Sequence, residues 1–274
     1  MNLIVDPAER GKGIQRLIGD ALKSRGVTKG AFTNATSHAI FGKQGWIAAT
    51  HFKTRLLPLR FSDLKQIKHA EGSKGKVLRT LARLTSPVNS LMRLYFRSYT
   101  PKYSRKVDIQ AYIEPLAQLY RTFNQPAPII TTVRDQAYLT WRYLQCPHAD
   151  EMVCYVAQRV ADESPSAVLI ARIYRDSAGL AVRILDLFGD LSSKALLNDL
   201  MRTLIQDAVQ AGAYQVTAMD TLQELRPLLF KNGFVLSSIR RFNWYDQDGA
   251  LMTLFQQNSS YWVIADSDND AVPR

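Results

Sequence analysis

The stretch VDPAERGKGIQRLIGDAL, Val5 to Leu22, decides how this chain is read. Arg10-Gly11-Lys12-Gly13 predicts a loop. Ile14, Leu17, Ile18, Ala21 and Leu22 then follow the i, i+3, i+4, i+7, i+8 spacing of an amphipathic helix over 13–25. Leu3-Ile4-Val5 reads as a short buried strand that Pro7 ends, and Gly26 suits a helix stop. At a strand-to-helix turn the first helical N–H groups have no carbonyl partner, and the helix dipole adds partial positive charge. Glycines let an anion come close to such a backbone. The run from Arg10 to Gln15 is therefore either a grip on a diphosphate, with Lys12 adding charge, or a solvated basic turn. It does not spell G-x-x-x-x-G-K-[ST], which excludes a P-loop, and it lacks the G-x-G-x-x-G spacing of dinucleotide folds.

Downstream, NATSHAIFGKQGW runs from Asn34 at a predicted strand end, through a short helix over 37–44, to Gly45-Trp46. Together with V-x-P-x-x-R-G-x-G-I, this resembles the GNAT (Gcn5-related) N-acetyltransferase superfamily. Asn34, Ser37, Ile40, Phe41, Lys43, Gly45 and Trp46 fall on the positions of that family's second motif. The resemblance implies that Val5 lies in the splayed central strand, whose backbone N–H groups serve the oxyanion. It also implies that Arg10, Gly11, Lys12, Gly13, Ile14 and Gln15 hold the pyrophosphate of acetyl-CoA, and that Asn34 and Phe41 flank the pantetheine and thioester end. Three departures accompany it. Gln15 stands where the family has a small residue. Phe41 replaces a tyrosine that in many members protonates the leaving thiolate, so that step needs water or another side chain. The strands and helices that precede the loop in the family have no counterpart ahead of Val5, so this unit is expected to be truncated.

Strands over 29–33 and 46–57 complete the first segment, and alternating strands and helices return after residue 107. Helices are predicted over 109–123, 135–144, 193–212 and 222–231, and strands over 152–160, 166–174, 181–188, 214–219, 234–244, 251–255 and 261–264. An internal echo joins the halves: LIGDAL at Leu17 matches LIQDAV at Leu204, 187 residues on, and FGKQGW at Phe41 resembles LFKNGF at Leu229, 188 on. The fold class expected is thus α/β (α+β), a GNAT-like mixed sheet with helices on both faces, in two units joined by a basic helical linker. The boundaries are 1–60 for a partial unit with the cofactor loop, 61–106 for the linker, 107–264 for a second unit, and 265–274 for a disordered tail. The second unit resembles the degenerate copy of tandem GNAT proteins. Its cofactor-loop counterpart, LDLFGDLSSKALL, carries Asp186, Asp190 and one glycine, and Leu222 and Leu229 stand for Asn34 and Phe41.

The net charge of +11 is concentrated: 60–106 holds twelve Lys or Arg against Asp63 and Glu71, a balance of +10. That argues for a local contact surface, either a solvated linker face or an anionic membrane surface. Thin aromatic interleaving disfavours nucleic acid. No apolar run reaches the roughly 18–20 residues of a membrane span, and the first residues do not form a secretion signal. Cys146 and Cys154 fit neither a disulfide framework nor a metal spacing, and with His38, His51, His69 and His148 scattered, no metal is expected. A cytoplasmic location, peripheral to the membrane if the basic segment docks there, is expected.

The function expected is acetyl transfer from acetyl-CoA to an amine acceptor: a small amine, an amino sugar or a protein amine. No residue is singled out as acid or base. His38 is either a base near the thioester or a solvated helix histidine, and Asp135, Asp186 and Asp220 are equal candidates. The alternative is a non-catalytic GNAT scaffold that binds a partner or an anionic surface.

Overall fold

The computed structural model describes residues 20–21, 29–33, 35–49, 52–64, 72–73, 76–77, 80, 84, 86–123, 130–159, 164–220, 225–239, 241–245 and 260–261. The strands are β1 (Lys29–Thr33), β2 (Ile47–Ala49), β3 (Lys53–Pro58), β4 (Ser104–Val107), β5 (Ile130–Thr131), β6 (Met152–Ala157), β7 (Ala167–Asp176), β8 (Gly179–Gly189), β9 (Gln215–Asp220), β10 (Val235–Ile239), β11 (Arg241–Tyr245) and β12 (Ser260–Tyr261). The helices are α1 (Ala35–Lys43), α2 (Ser86–Arg97), α3 (Ile109–Phe123), α4 (Gln136–Leu139, continuing as a π turn over Thr140–Leu144), α5 (Lys194–Gln210) and α6 (Leu225–Lys231). Residues 20 and 21 are helical within the expected first helix; the expected strands at 3–5 and 251–255 lie outside the described residues.

The large sheet has seven strands in the order β10-β3-β9-β8-β7-β6-β4. Only β8 and β9 are parallel; every other neighbouring pair is antiparallel. Successive residues of β8 serve opposite faces, as strand geometry requires. Phe188 meets the Tyr120 ring of α3 edge-on and Asp186 pairs with Arg134 ahead of α4, while Leu187 shares a cavity with Met201 of α5. The mixed sheet with helices on both faces matches the expected class.

Two strands cross between sheets. β3 follows β2 closely in sequence but does not close on it as a hairpin. It enters the large sheet between β9 and β10. β11 does the reverse, leaving β10 to lie between β1 and β2 in a three-stranded sheet. The runs 46–57 and 234–244, each expected as one strand, are therefore two strands apiece, and both pairs are divided between the sheets. The elements β1-α1-β2-β3 and β9-α6-β10-β11 follow in the same order. Thr33 and Asp220 end equivalent strands 187 residues apart, and Lys53 and Arg241 begin equivalent strands 188 apart.

The sequence echo marks a helix stop. Gly45 after α1 has φ +79°, and Trp46 N–H donates to Phe41 C=O at 3.0 Å, with the two rings 4.6 Å apart. Gly233 after α6 has φ +85°, and Phe234 N–H donates to Leu229 C=O at 3.0 Å. Each is a left-handed glycine closed by the six-to-one hydrogen bond and the apolar contact that accompany such a stop.

β3 is fixed in the large sheet by charge as well as by its ladder. Arg55 and Asp220 are 3% and 0% exposed, their atoms meet at 2.6 Å, and the guanidinium also lies 4.2 Å from the Phe230 ring centroid. Asp199 of α5 ties β4 to the body. It accepts from the backbone N–H groups of Lys102, Tyr103 and Ser104, and from the hydroxyls of Ser104 and Tyr99. Burial pushes the Asp199 carboxyl upward, but these donors outweigh it and hold it below the usual carboxylate range.

Removing one partner of a buried pair leaves the other charge uncompensated. Asp220→Ala is expected to lower the unfolding free energy by about 3–5 kcal/mol, whereas Asp63→Ala, in an exposed pair with Arg60, shifts it by under about 1 kcal/mol. Urea denaturation measures both. Asp199→Ala is expected to cost about 3 kcal/mol at neutral pH. The Asp199 carboxyl is depressed in the fold, so its contribution is full above the unfolded value and is lost as pH falls through the folded one. Repeating the urea series below about pH 4 is therefore expected to narrow the gap between wild type and Asp199→Ala.

Candidate functional site

β8 and β9 run parallel and pair over only three residues, Ala181–Arg183 against Gln215–Thr217, before they diverge. The cause lies in β8. Ile170 of β7 faces Asp186 and Ala171 faces Ile184, so Leu185 is an extra residue, and such a bulge bends its strand. The wedge so opened is where a sheet of this kind has room for an extended ligand. Here it is filled. Ile184, Leu187, Met201, Ala218, Met219, Leu225 and Leu229 line it and leave a cavity of about 20 Å³.

The loop that leads from β8 into α5 is likewise occupied by its own atoms. Asp190 N–H donates to Ser166 C=O, Ser193 N–H to Asp190 C=O and Lys194 N–H to Ser192 C=O. Ser192 donates to the Asp190 carboxylate through both its N–H and its hydroxyl, and Arg159 donates to the other carboxylate oxygen. The Ser192 hydroxyl above all, with the Arg159 guanidinium, holds the Asp190 carboxyl below its ordinary range despite some desolvation. The Asp190 carboxylate is thus satisfied within the loop and by Arg159. Gly189 serves packing: its φ is +121°, and a Cβ there would stand 2.5 Å from Ser166 C=O. Asp186, expected beside Asp190 at the diphosphate position, lies in the core instead. It is 0% exposed, bonded by Arg134 Nε at 2.5 Å and by the Tyr143 hydroxyl at 3.1 Å. Alternation along β8 sends residue 186 inward, and the π turn brings Tyr143 to the carboxylate.

The three carboxylates weighed as bases are all engaged. Asp135 caps α4 by accepting from Tyr138 N–H at 2.8 Å. Asp186 is paired as above. Asp220 lies between Arg55 and Arg226. Burial pushes the Cys154 thiol up to about 12, so it is an unreactive core group. Among the described residues no cluster of His, Cys, Asp and Glu is arranged to hold a metal ion, and no helix is long and apolar enough to cross a membrane.

One unforeseen pair lies between the halves of the chain. His38 Nδ1 on α1 is 2.6 Å from Asn243 Oδ1 on β11, 205 residues away in sequence. A carboxamide oxygen only accepts, so Nδ1 is the donor in this contact. Asn243 is 0% exposed between buried Phe242 and Trp244. A polar residue inside an apolar run was the available signal, but its partner could not be read from spacing. Phe41, expected beside a thioester, stacks on buried Trp46. Val5, Arg10, Gly11, Lys12, Gly13, Ile14, Gln15 and Asn34 lie outside the described residues, as do His51 and His69.

No family model matches the sequence, and no curated protein matches it. Solved structures do. A GCN5-related N-acetyltransferase from Anabaena variabilis aligns at TM-score 0.51 and 14% identity, over 88% of this chain and 52% of that one. Saccharomyces cerevisiae N-myristoyltransferase with bound myristoyl-CoA aligns at TM-score 0.56 and 12% identity, over 90% of this chain and 58% of that one. A further structure of the yeast enzyme aligns at 0.55 and 11%, over 89% and 61%. The chain thus spans between 52% and 61% of the length of these neighbours. At such identities the likeness is one of fold: this chain has the mixed, splayed sheet of GNAT-type N-acyltransferases.

Proposed function

We propose that the chain is an acyl-CoA-dependent N-acyltransferase that moves an acetyl group from acetyl-CoA to an amine acceptor, with the coenzyme held by its N-terminal half. The observation that carries this reading is the fold, a mixed sheet whose neighbours include an N-acetyltransferase and an N-myristoyltransferase with bound myristoyl-CoA. The repeated element order and the shared helix stop support a duplication of two GNAT-like units. The second unit's wedge is filled by its own side chains, so no step is placed there. The amides of Gly11, Lys12, Gly13 and Ile14, with the charge of Arg10 and Lys12, would bind the diphosphate, and Asn34 the pantetheine arm.

Acetyl-CoA supplies an activated thioester. The chain must then provide a neutral amine, a donor for the tetrahedral oxyanion and a proton for the leaving thiol. His38 is the base this reading favours, because the contact with Asn243 fixes the orientation of its ring. Phe41 has no proton to give, so thiol protonation falls to water or to the imidazolium formed in the first step.

A second reading, a non-catalytic scaffold, is favoured by the closed second unit and by the engagement of each candidate carboxylate. Calorimetry with acetyl-CoA separates the two. The enzyme reading expects micromolar binding that Gly13→Glu abolishes and Asp190→Ala leaves intact; absence of heat at millimolar ligand supports the scaffold. In the enzyme, His38→Phe is expected to lower kcat roughly 100-fold or more while coenzyme binding is retained. An unchanged kcat would remove His38 from the chemistry.

A further inference from the structure

The basic segment ends in α2, whose two faces differ sharply. One face packs on α5 through Asn89, Met92 and Phe96. The other presents Val88, Leu91, Leu94 and Tyr95, which are 65%, 68%, 63% and 52% exposed. Upstream, Val77 and Leu84 are also helical and exposed. Large apolar side chains on successive turns of one face are not ordinary solvated surface.

Beside this stripe lies a hollow of about 210 Å³ lined by Ser90, Arg93, Leu94 and Arg97. It sets two guanidinium groups and a hydroxyl next to the apolar row. Among the described residues no carboxylate pairs with Arg93 or Arg97. In sequence, the segment 60–106 that contains α2 carries twelve cationic side chains against two acidic ones. An apolar stripe bordered by arginines is the pattern of a helix lying in the interface of an anionic bilayer, with its apolar side among acyl chains and its guanidinium groups on lipid phosphates.

We propose that the exposed face of α2 is a membrane-docking surface: Leu91 and Leu94 enter the acyl boundary, and Arg93 and Arg97 hold anionic headgroup phosphates. Charge complementarity selects this occupant. A second copy of the chain would bring another +10 segment against the first, which like-charge repulsion opposes. This inference does not rest on the acyltransferase reading.

Sedimentation of the full chain with vesicles tests it. The expected result is binding to phosphatidylcholine vesicles containing one quarter phosphatidylglycerol, little binding to phosphatidylcholine alone, and weakening as salt rises from 0.1 to 0.5 M. Arg93→Gln with Arg97→Gln is expected to weaken binding roughly 30-fold, and Leu91→Glu to abolish it at the same lipid concentration. Since all three side chains are at least partly exposed, unchanged thermal unfolding checks that the variants remain folded. Should Leu91→Glu prove unstable, the arginine pair alone decides the matter. Absence of binding to anionic vesicles, equal binding to neutral ones, or a concentration-dependent dimer that Leu91→Glu dissolves would each overturn the proposal.

Discussion

The three-stranded and the seven-stranded sheet are each completed by a strand from the far end of the chain, and the rest of the structure depends on that exchange. β3 fills the gap between β9 and β10, and β11 fills the gap between β1 and β2. Without β3, the facing edges of β9 and β10 would present unpaired backbone groups, and the buried Asp220 carboxylate would lose the guanidinium that compensates it. Without β11, the short strands β1 and β2 would have no common partner. Register is fixed because a slip of one residue would turn buried side chains to the opposite face. The exchange thus ties the halves by backbone ladders as well as by surface contact.

The chemistry follows from the same constraint. β11 is the strand that brings Asn243 to His38, so the pair exists only because the halves trade strands. In the second half the wedge between β8 and β9 is present in the backbone but closed by Met201, Met219, Leu225 and Leu229, and its loop is satisfied by Asp190. The second half contributes a core, the strand β11 and the side chain that His38 meets.

Much of the fold was legible because its elements obey strong periodicities. α3, α5 and the strands β6 to β9 fall close to where apolar spacing puts them. The Gly-aromatic echo was legible too, although its physical meaning is a pair of left-handed helix stops, a structural reason independent of any ligand. The strand crossings were hidden. In 46–57 and 234–244 the apolar, β-prone character continues through the crossing, and local sequence does not reveal which sheet a strand joins. β4 was hidden for another reason: Ser-Arg-Lys-Val at a sheet edge is largely exposed, so it reads as linker. The fate of Asp186 turned on alternation within β8, and the partner of His38 on a contact across 205 residues.

The exchange itself is open to direct measurement. In a uniformly labelled sample, interstrand backbone NOEs are expected between Ala31 and Asn243 and between Arg55 and Ala218, which the register places opposite one another. NOEs that instead join β2 to β3 and β10 to β11 as simple hairpins, with those two contacts absent, would contradict the exchanged fold. They would also remove the setting in which Asn243 meets His38.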